Sequence, residues 1–389
     1  MSGPLADIVV LDLSRALAGP HAAMMLGDMG ARVIKVEHPG GDDTRGWGPP
    51  FVGPQDARES TYFLSCNRNK ESITLDLKSD EGRDVLARLA ARADVLVENF
   101  RPGVLDRLGF STERLHALNP GLVILSISGF GHDGPEGARA GYDQIAQGEA
   151  GLMSITGPAP DEPTRVGVPI GDLLAGMNGA FGVVSALHER ARTGRGKVVR
   201  TSLLASIVGV HAFQGTRWTV AGEVPVATGN HHPSICPYGL FRTEDAPVQV
   251  AVGSENLWRA FAPIVGLDAA DPRFATNPDR VGHRAELVAE IEAVFGTAPA
   301  ETWLARLAAA GIPAGKVRTI DDVYEWEQTR SQGLLLEVDH PTLGPVALPG
   351  SPLRFDDAAL SGGRETHVAP PTLGQHTSAV LAWLDDDSA

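Results

Sequence analysis

Ile8-Val9-Val10-Leu11-Asp12-Leu13, then Gly19-Pro20 opening a helix-compatible run from His21 to Met29, then Val33-Ile34-Lys35-Val36: on this stretch the fold turns. The two short runs are rich in β-branched residues and leucine, which favour strands, and a proline at the first turn suits a helix start. Strand, helix and strand in this order form a βαβ unit, whose strands must be parallel. A dinucleotide-binding version, with Glu37 on the ribose, needs G-x-G-x-x-G at the first turn. The chain has Leu17-Ala18-Gly19-Pro20 there, which speaks against a nicotinamide enzyme.

Outward from that unit the alternation continues. Ile73 to Leu77 reads as a strand, Asp84 to Arg92 as a helix, and Val95 to Val97 and Leu122 to Ile127 as strands, giving an α/β domain with a largely parallel sheet. The loops between them are rich in glycine and polar residues and carry or adjoin Arg45, Arg68, Lys70, Arg101 and Arg107. In open α/β sheets such loops, at the strand carboxyl ends, form the ligand crevice. Val198 to Leu204 reads as a strand running into a helix, and residues 221–238 are rich in turn formers. Phe241 to Val252 fits a hairpin, with helical segments at Leu257 to Val265, Ala285 to Val294 and Glu301 to Ala309, which together make a smaller α+β domain. The chain closes with a helix-like Thr377 to Leu384. The expected division is 1–205 for the first segment of the large domain, 206–230 for a linker, 231–320 for the small domain and 321–389 for the return into the large one.

Composition narrows the function classes. A formal net charge of −15, from 33 Lys+Arg against 48 Asp+Glu, repels nucleic acid and anionic membranes. Any anionic ligand must be drawn by a local basic site. Cys66 and Cys236 lie far apart and form no metal spacing, which argues for a reducing compartment, the cytoplasm by default, and against a disulfide framework. His231 and His232 are adjacent and point apart in any regular element, which argues against a metal. The N-terminus shows no signal pattern, and no apolar run approaches the ~20 residues that span a bilayer.

Gly167-Val168-Pro169-Ile170-Gly171-Asp172-Leu173-Leu174-Ala175-Gly176-Met177 opens a helix whose apolar residues, Leu173, Met177, Phe181, Val184 and Leu187, recur at helical spacing. Arg190, Arg192 and Gly194 mark its end. Asp172 thus lies at or beside a helix N-terminus, where a carboxylate commonly caps the first free N–H groups. The alternative is a nucleophile. Glycines at 167, 171 and 176 would let a substrate approach the backbone, and the helix dipole would keep the carboxylate ionised.

Several strings decide between them. Leu11-Asp12-Leu13-Ser14-Arg15-Ala16-Leu17-Ala18-Gly19-Pro20, Gly30-Ala31-Arg32-Val33-Ile34-Lys35-Val36-Glu37, Asn67 to Lys70 leading into Leu75-Asp76-Leu77-Lys78, and Val97-Glu98-Asn99-Phe100-Arg101-Pro102-Gly103 resemble the family III CoA-transferases. Tyr142-Asp143, Gly171-Asp172, Thr193-Gly194-Arg195-Gly196, His232-Pro233-Ser234, Gly311-Ile312-Pro313 and Leu373-Gly374-Gln375-His376-Thr377 continue the resemblance over nearly the whole chain. The resemblance implies an enzyme that moves CoA from an acyl-CoA to a free carboxylic acid through acyl-aspartyl anhydride and aspartyl-CoA thioester intermediates on Asp172. It implies no tightly bound cofactor and no metal, with coenzyme A as a substrate. The family fold it implies is an interlocked homodimer whose large Rossmann-like α/β domain is built from both chain ends, with a smaller α+β domain between.

By position in the family, Ala16, Leu17, Ala18, His38, Asn99, Phe100 and Arg107 line the CoA site, joined by the loop cations Arg45 and Lys70, while Tyr142, Asp143 and Gly171 support Asp172. His38 stands where relatives often carry arginine. A carboxylate needs no proton partner to exchange with a thioester, so the lack of a Ser/His/Asp arrangement is no defect. Racemases of the same family carry a histidine at the position of Tyr142 as an acid/base group; tyrosine, with a reference pKa of about 10, suits that role poorly. Transferase is therefore the expected activity, over a racemase or a CoA-binding protein without turnover. The strings His340-Pro341-Thr342-Leu343-Gly344 and Leu373 to Thr377 resemble transferases that use succinyl-CoA and small dicarboxylates.

Overall fold

The structure is a computed structural model and describes residues 2–137, 139–355 and 361–386. It divides into two compact units. The larger holds residues 1–152, 166–221 and 324–389, so both chain ends build it. Along its first segment run β1 (Val9–Asp12), α1 (Ala18–Asp28), β2 (Arg32–Glu37), the two-residue strands β3 (Phe51–Val52) and β4 (Glu59–Ser60), α2 (Thr61–Ser65), β5 (Lys70–Thr74), α3 (Asp80–Arg92) and β6 (Val95–Glu98). There follow α4 (Val104–Arg107), α5 (Thr112–Leu118), β7 (Val123–Ser128), α6 (Asp143–Glu149), α7 (Ile170–Thr193), β8 (Val198–Ser202), α8 (Leu203–Gly209) and α9 (Ala212–Thr219). α8 and α9 fall where the linker 206–230 was expected.

Six strands form one parallel sheet in the order β5-β2-β1-β6-β7-β8. Alternate residues feed different cores, as a sheet covered on both faces requires. Val10, Val33, Val95, Val97, Val123 and Leu125 join the core of α1 and α7. Leu11, Ile34, Ile73, Leu96 and Ile124 join that of α3, α5 and the C-terminal helix Thr377–Asp385. That last helix is pinned to the sheet edge: Ser72 N donates to His376 Nδ1 at 3.1 Å, His376 N donates to Ser72 O at 2.9 Å, and Trp383 packs against Arg32 at 4.4 Å.

α7 is the organising helix, and its buried face is not the one its large apolar residues predict. The residues turned inward are Gly171, Ala175, Gly176, Gly179, Ala180, Val183, Ala186 and Leu187. A Cβ on Gly176 would sit 2.7 Å from Ala18 O, and one on Gly182 2.5 Å from Val199, so the helix approaches α1 and the sheet at a distance only small residues allow. Met177, Phe181 and Val184 are exposed instead. α7 has 24 residues, and an 18-residue window of it reaches a mean hydropathy of 1.4, long and apolar enough to span a membrane, contrary to expectation; here its glycine face packs as a core helix.

The second unit comprises residues 153–165 and 222–323, a wider span than the expected 231–320. β9 (Tyr238–Phe241), β10 (Val248–Ala251) and β11 (Ala314–Lys316) form an antiparallel sheet in the order β11-β10-β9. Helices α10 (Glu255–Phe261), α11 (Asn277–Gly282), α12 (Arg284–Phe295) and α13 (Ala300–Ala309) pack over an aromatic core containing Phe241, Trp258, Phe274, Phe295 and Trp303. In the larger unit a final hairpin, β12 (Leu335–His340) with β13 (Gly344–Pro349), packs near α2.

Candidate active site

α7 begins one turn before its expected cap. Ile170 is its first residue and Pro169 stands at the cap position without a side-chain bond, which puts Asp172 inside the first turn. The capping is done from another helix. Asp143, first residue of α6, accepts the Gly171 N–H at 2.7 Å and the Asp172 N–H at 3.4 Å through Oδ1, and the Gln147 amide at 2.7 Å through Oδ2. Gly171 leaves room for this: a Cβ there would lie 3.1 Å from that Oδ1 and 3.0 Å from Ile207.

Relieved of capping, the half-buried Asp172 carboxylate accepts no hydrogen bond from the described residues. Burial, and then the negative charge of Asp143, push its pKa up to about 7. The helix dipole expected to favour the ionised form is thus opposed by burial and by Asp143. Desolvation and a like charge outweigh a terminal dipole worth about 1 kcal/mol.

Asp172 lies in the wall of a cavity of about 180 Å³ that also collects Tyr142, Asn99, Phe100, Ala16 and Ala18. Trp47, Arg15, Arg101 and Arg139 line it too, with Asp43 among others, and sequence reading assigned none of these to the site. Arg101 was visible as a loop cation, Arg15 as the neighbour of an expected site residue and Trp47 as the end of the glycine-rich crevice loop Gly40 to Trp47; Arg139 carried no local signal. The loop after β1 is held under tension. Ala16 has φ 64°, a left-handed conformation unusual outside glycine. Asn99 grips the peptide before it, accepting Arg15 N–H at 2.8 Å and donating to Arg15 O at 2.7 Å. Leu17 turns inward against Met24 and Cys66 and, contrary to expectation, does not line the cavity. Tyr142 is 71% exposed at the start of α6.

A neighbouring cavity of about 230 Å³ shares Arg15 and Phe100 with the first, whose side chains lie 5.6 Å apart as a cation over a ring. It is lined by His38, Lys78, Leu75, Val104 and Leu108 among others. His38 is exposed, its Nδ1 accepting Gly40 N–H at 3.0 Å. Arg107 is exposed on α4 next to the lining residue Leu108.

Arg45 and Lys70 depart from expectation. Lys70 is fully buried and its ammonium is shared among Asp12 Oδ2 at 2.9 Å, Pro20 O at 2.8 Å and Asn67 Oδ1 at 2.9 Å. Arg45 is bidentate on Glu37 at 2.7 and 2.8 Å and stacks 3.6 Å over Phe63. Both side chains are spent inside the protein, as is Glu37 itself. With Lys35–Asp42 at 2.8 Å, these pairs brace the carboxyl ends of β1 and β2 from below. Burial alone would raise the pKa of Asp12, but Lys70 and Lys35 hold it low. Among the described residues no cluster of His, Cys, Asp and Glu could hold a metal.

Comparison with known proteins gives the geometry a context. The profile of CoA-transferase family III matches residues 5–377. The succinyl-CoA:glutarate CoA-transferase of Mus musculus is 40% identical over 97% of this chain and 86% of its own length. The acetyl-CoA:oxalate CoA-transferase of Acetobacter aceti is 38% identical over 97% of this chain and 95% of its own. The crystal structure of a CaiB/BaiF family protein from Brucella suis superposes with a TM-score of 0.87 at 40% identity, covering 99% of this chain and all (100%) of that one.

Proposed function

The chain belongs to the family III CoA-transferases and is a CoA-transferase; from that premise we propose that Asp172 is the nucleophile that carries CoA from an acyl-CoA donor to a free carboxylic acid. One observation carries the reading: Asp143 caps α7, which leaves the Asp172 carboxylate without a structural task at the wall of a cavity. The adenosine-phosphate end of CoA takes the cavity beside His38, Lys78 and Arg107, the pantetheine arm crosses at Arg15 and Phe100, and the thioester reaches Asp172. Support comes from the residues that the two cavities share.

The chemistry then balances without a proton shuttle. An Asp172 oxygen attacks the thioester carbonyl, breaking C–S and releasing CoA thiolate with formation of a mixed anhydride. The thiolate attacks the Asp172 carbonyl carbon, expelling the donor carboxylate and leaving an aspartyl-CoA thioester. The acceptor carboxylate attacks that thioester to form a second anhydride, and the thiolate attacks its acyl carbon, restoring Asp172 and giving the new acyl-CoA. Charge is conserved at each step: one carboxylate or thiolate enters and another leaves.

For substrates we propose dicarboxylic acids with succinyl-CoA as donor. Arg101 faces the same cavity as Asp172 and is the cation to meet a distal carboxylate, since Arg15 and Arg139, which also line it, are paired with Asp43 and Glu149. The named relatives act on such acids: glutarate in Mus musculus and, in a transferase of Agrobacterium fabrum that is 38% identical, succinate and glutarate. The test is a screen of acyl-CoA donors against carboxylic acids with wild type and Asp172→Asn. Wild type should transfer CoA between dicarboxylates, and the amide, which cannot form an anhydride, should lose several orders of magnitude in turnover. An active Asp172→Asn would remove the nucleophile assignment. A preference for monocarboxylic acids would remove the substrate assignment alone.

A further inference from the structure

Behind the segment from Asn99 to Pro102 lies a cavity of about 200 Å³ that shares Arg101 and Pro102 with the Asp172 cavity. Its wall carries a chain of polar groups, Glu98 buried and Ser126 and His132 half-buried, that the transfer reaction does not use. Glu98, the last residue of β6, is 7% exposed. Its Oε2 accepts the Phe100 N–H at 2.8 Å, and its Oε1 accepts the hydroxyl of Ser126 on the adjacent strand β7. Ser126 Oγ in turn lies 2.7 Å from His132 Nε2. Burial raises the pKa of Glu98 and, with Arg200 nearby, lowers that of His132. A carboxylate at the end of a central strand, held on one side by a hydroxyl and on the other by the amide two residues on, fixes where the following loop leaves the sheet.

That loop forms the front of the site. Phe100 faces both cavities read as the CoA path, and Asn99 holds both ends of the Arg15 peptide. We propose that Glu98 is a positioning residue for CoA binding: through the Phe100 N–H it sets the height of the Asn99–Phe100 segment, and Ser126 backed by His132 keeps its carboxylate aimed. The proposal rests on the reading of those two cavities as the CoA site. Without the carboxylate, the half-buried Phe100 N–H must turn to find another acceptor, and the loop moves with it.

The test measures the affinity for free CoA by calorimetry and the steady-state kinetics with the acyl-CoA donor varied. Glu98→Ala should raise both the CoA dissociation constant and the donor KM about tenfold, the value of one hydrogen bond to a charged acceptor, with kcat at saturation within about twofold of wild type. Glu98→Gln still accepts the Phe100 N–H and can donate to Ser126 Oγ, so it should restore both constants. Ser126→Ala, which leaves the Phe100 bond but frees the back of the carboxylate, should shift them in the same direction by less, and it carries the test if Glu98→Ala does not fold. A folded Glu98→Ala with wild-type CoA affinity and KM would overturn the proposal, as would a fall in kcat at unchanged KM. Wild-type protein that binds no CoA would instead overturn the reading of the cavities, and the proposal with it.

Discussion

Asp172 and Asp143 are the same residue type, one helical turn or less from the starts of their helices, yet their surroundings give them different work. Asp143 meets the Gly171 and Asp172 N–H groups and the Gln147 amide; Asp172 meets burial and, after it, the charge of Asp143. The consequence can be measured. Attack requires the carboxylate, and its pKa is raised to about 7, so kcat/KM should fall as pH drops through about 7. Asp143→Asn removes the neighbouring charge while keeping an oxygen for the Gly171 N–H, and should move that acidic limb to lower pH. An unchanged limb in Asp143→Asn would show that another group titrates. The sequence placed Asp172 correctly at a helix start, but not which carboxylate caps it, because that contact joins segments 29 residues apart. Arg45 and Lys70 misled for a related reason. A loop cation reads as a ligand for phosphate until its buried partners, Glu37 and Asp12, are known.

α7 shows how far element-level reading reached. Its ends were close to legible, since Gly194 closes it in a left-handed conformation at φ 68° and Arg190 and Arg192 occupy its last turn. Its buried face was not. The expected core stripe of Met177, Phe181 and Val184 is exposed, while glycines and alanines face the sheet. Apolar periodicity marks a face that avoids water, but two helices and a sheet at close approach select for small size, which hydrophobic spacing does not report. Two of the three glycines read as making room for substrate do otherwise: Gly176 admits Ala18 O of α1, and Gly171 admits Asp143, while Gly167 faces open space. Gly176→Ala should therefore cost about 1–3 kcal/mol in urea unfolding, because the obstacle is a backbone oxygen. Gly167→Ala, with nothing within 4 Å of the added Cβ, should cost much less. Equal costs would contradict the close-approach account.

On the scale of the whole molecule, the α/β class was legible from alternating elements, and both chain ends build the larger unit. The boundaries of the smaller unit were not legible, since 153–165, although rich in proline, joins it only by contacts with residues distant in sequence. We propose that the exposed apolar residues Met177, Phe181 and Val184 of α7, with Phe213 and Trp218 of α9, are covered by a second copy of the chain in an interlocked homodimer. Linked chains cannot separate without unfolding, so sedimentation at low nanomolar concentration should show a dimer throughout, whereas a compact monomer would exclude the interlock. The claim that all of this serves is a covalent one, and intact mass with peptide mapping reads it most directly. Wild-type protein held with succinyl-CoA and no acceptor, then quenched with hydroxylamine, should carry a hydroxamate on Asp172 alone, absent from Asp172→Asn. An adduct on another carboxylate such as Asp143 or Glu149, or none at all from a preparation that transfers CoA, would contradict the account.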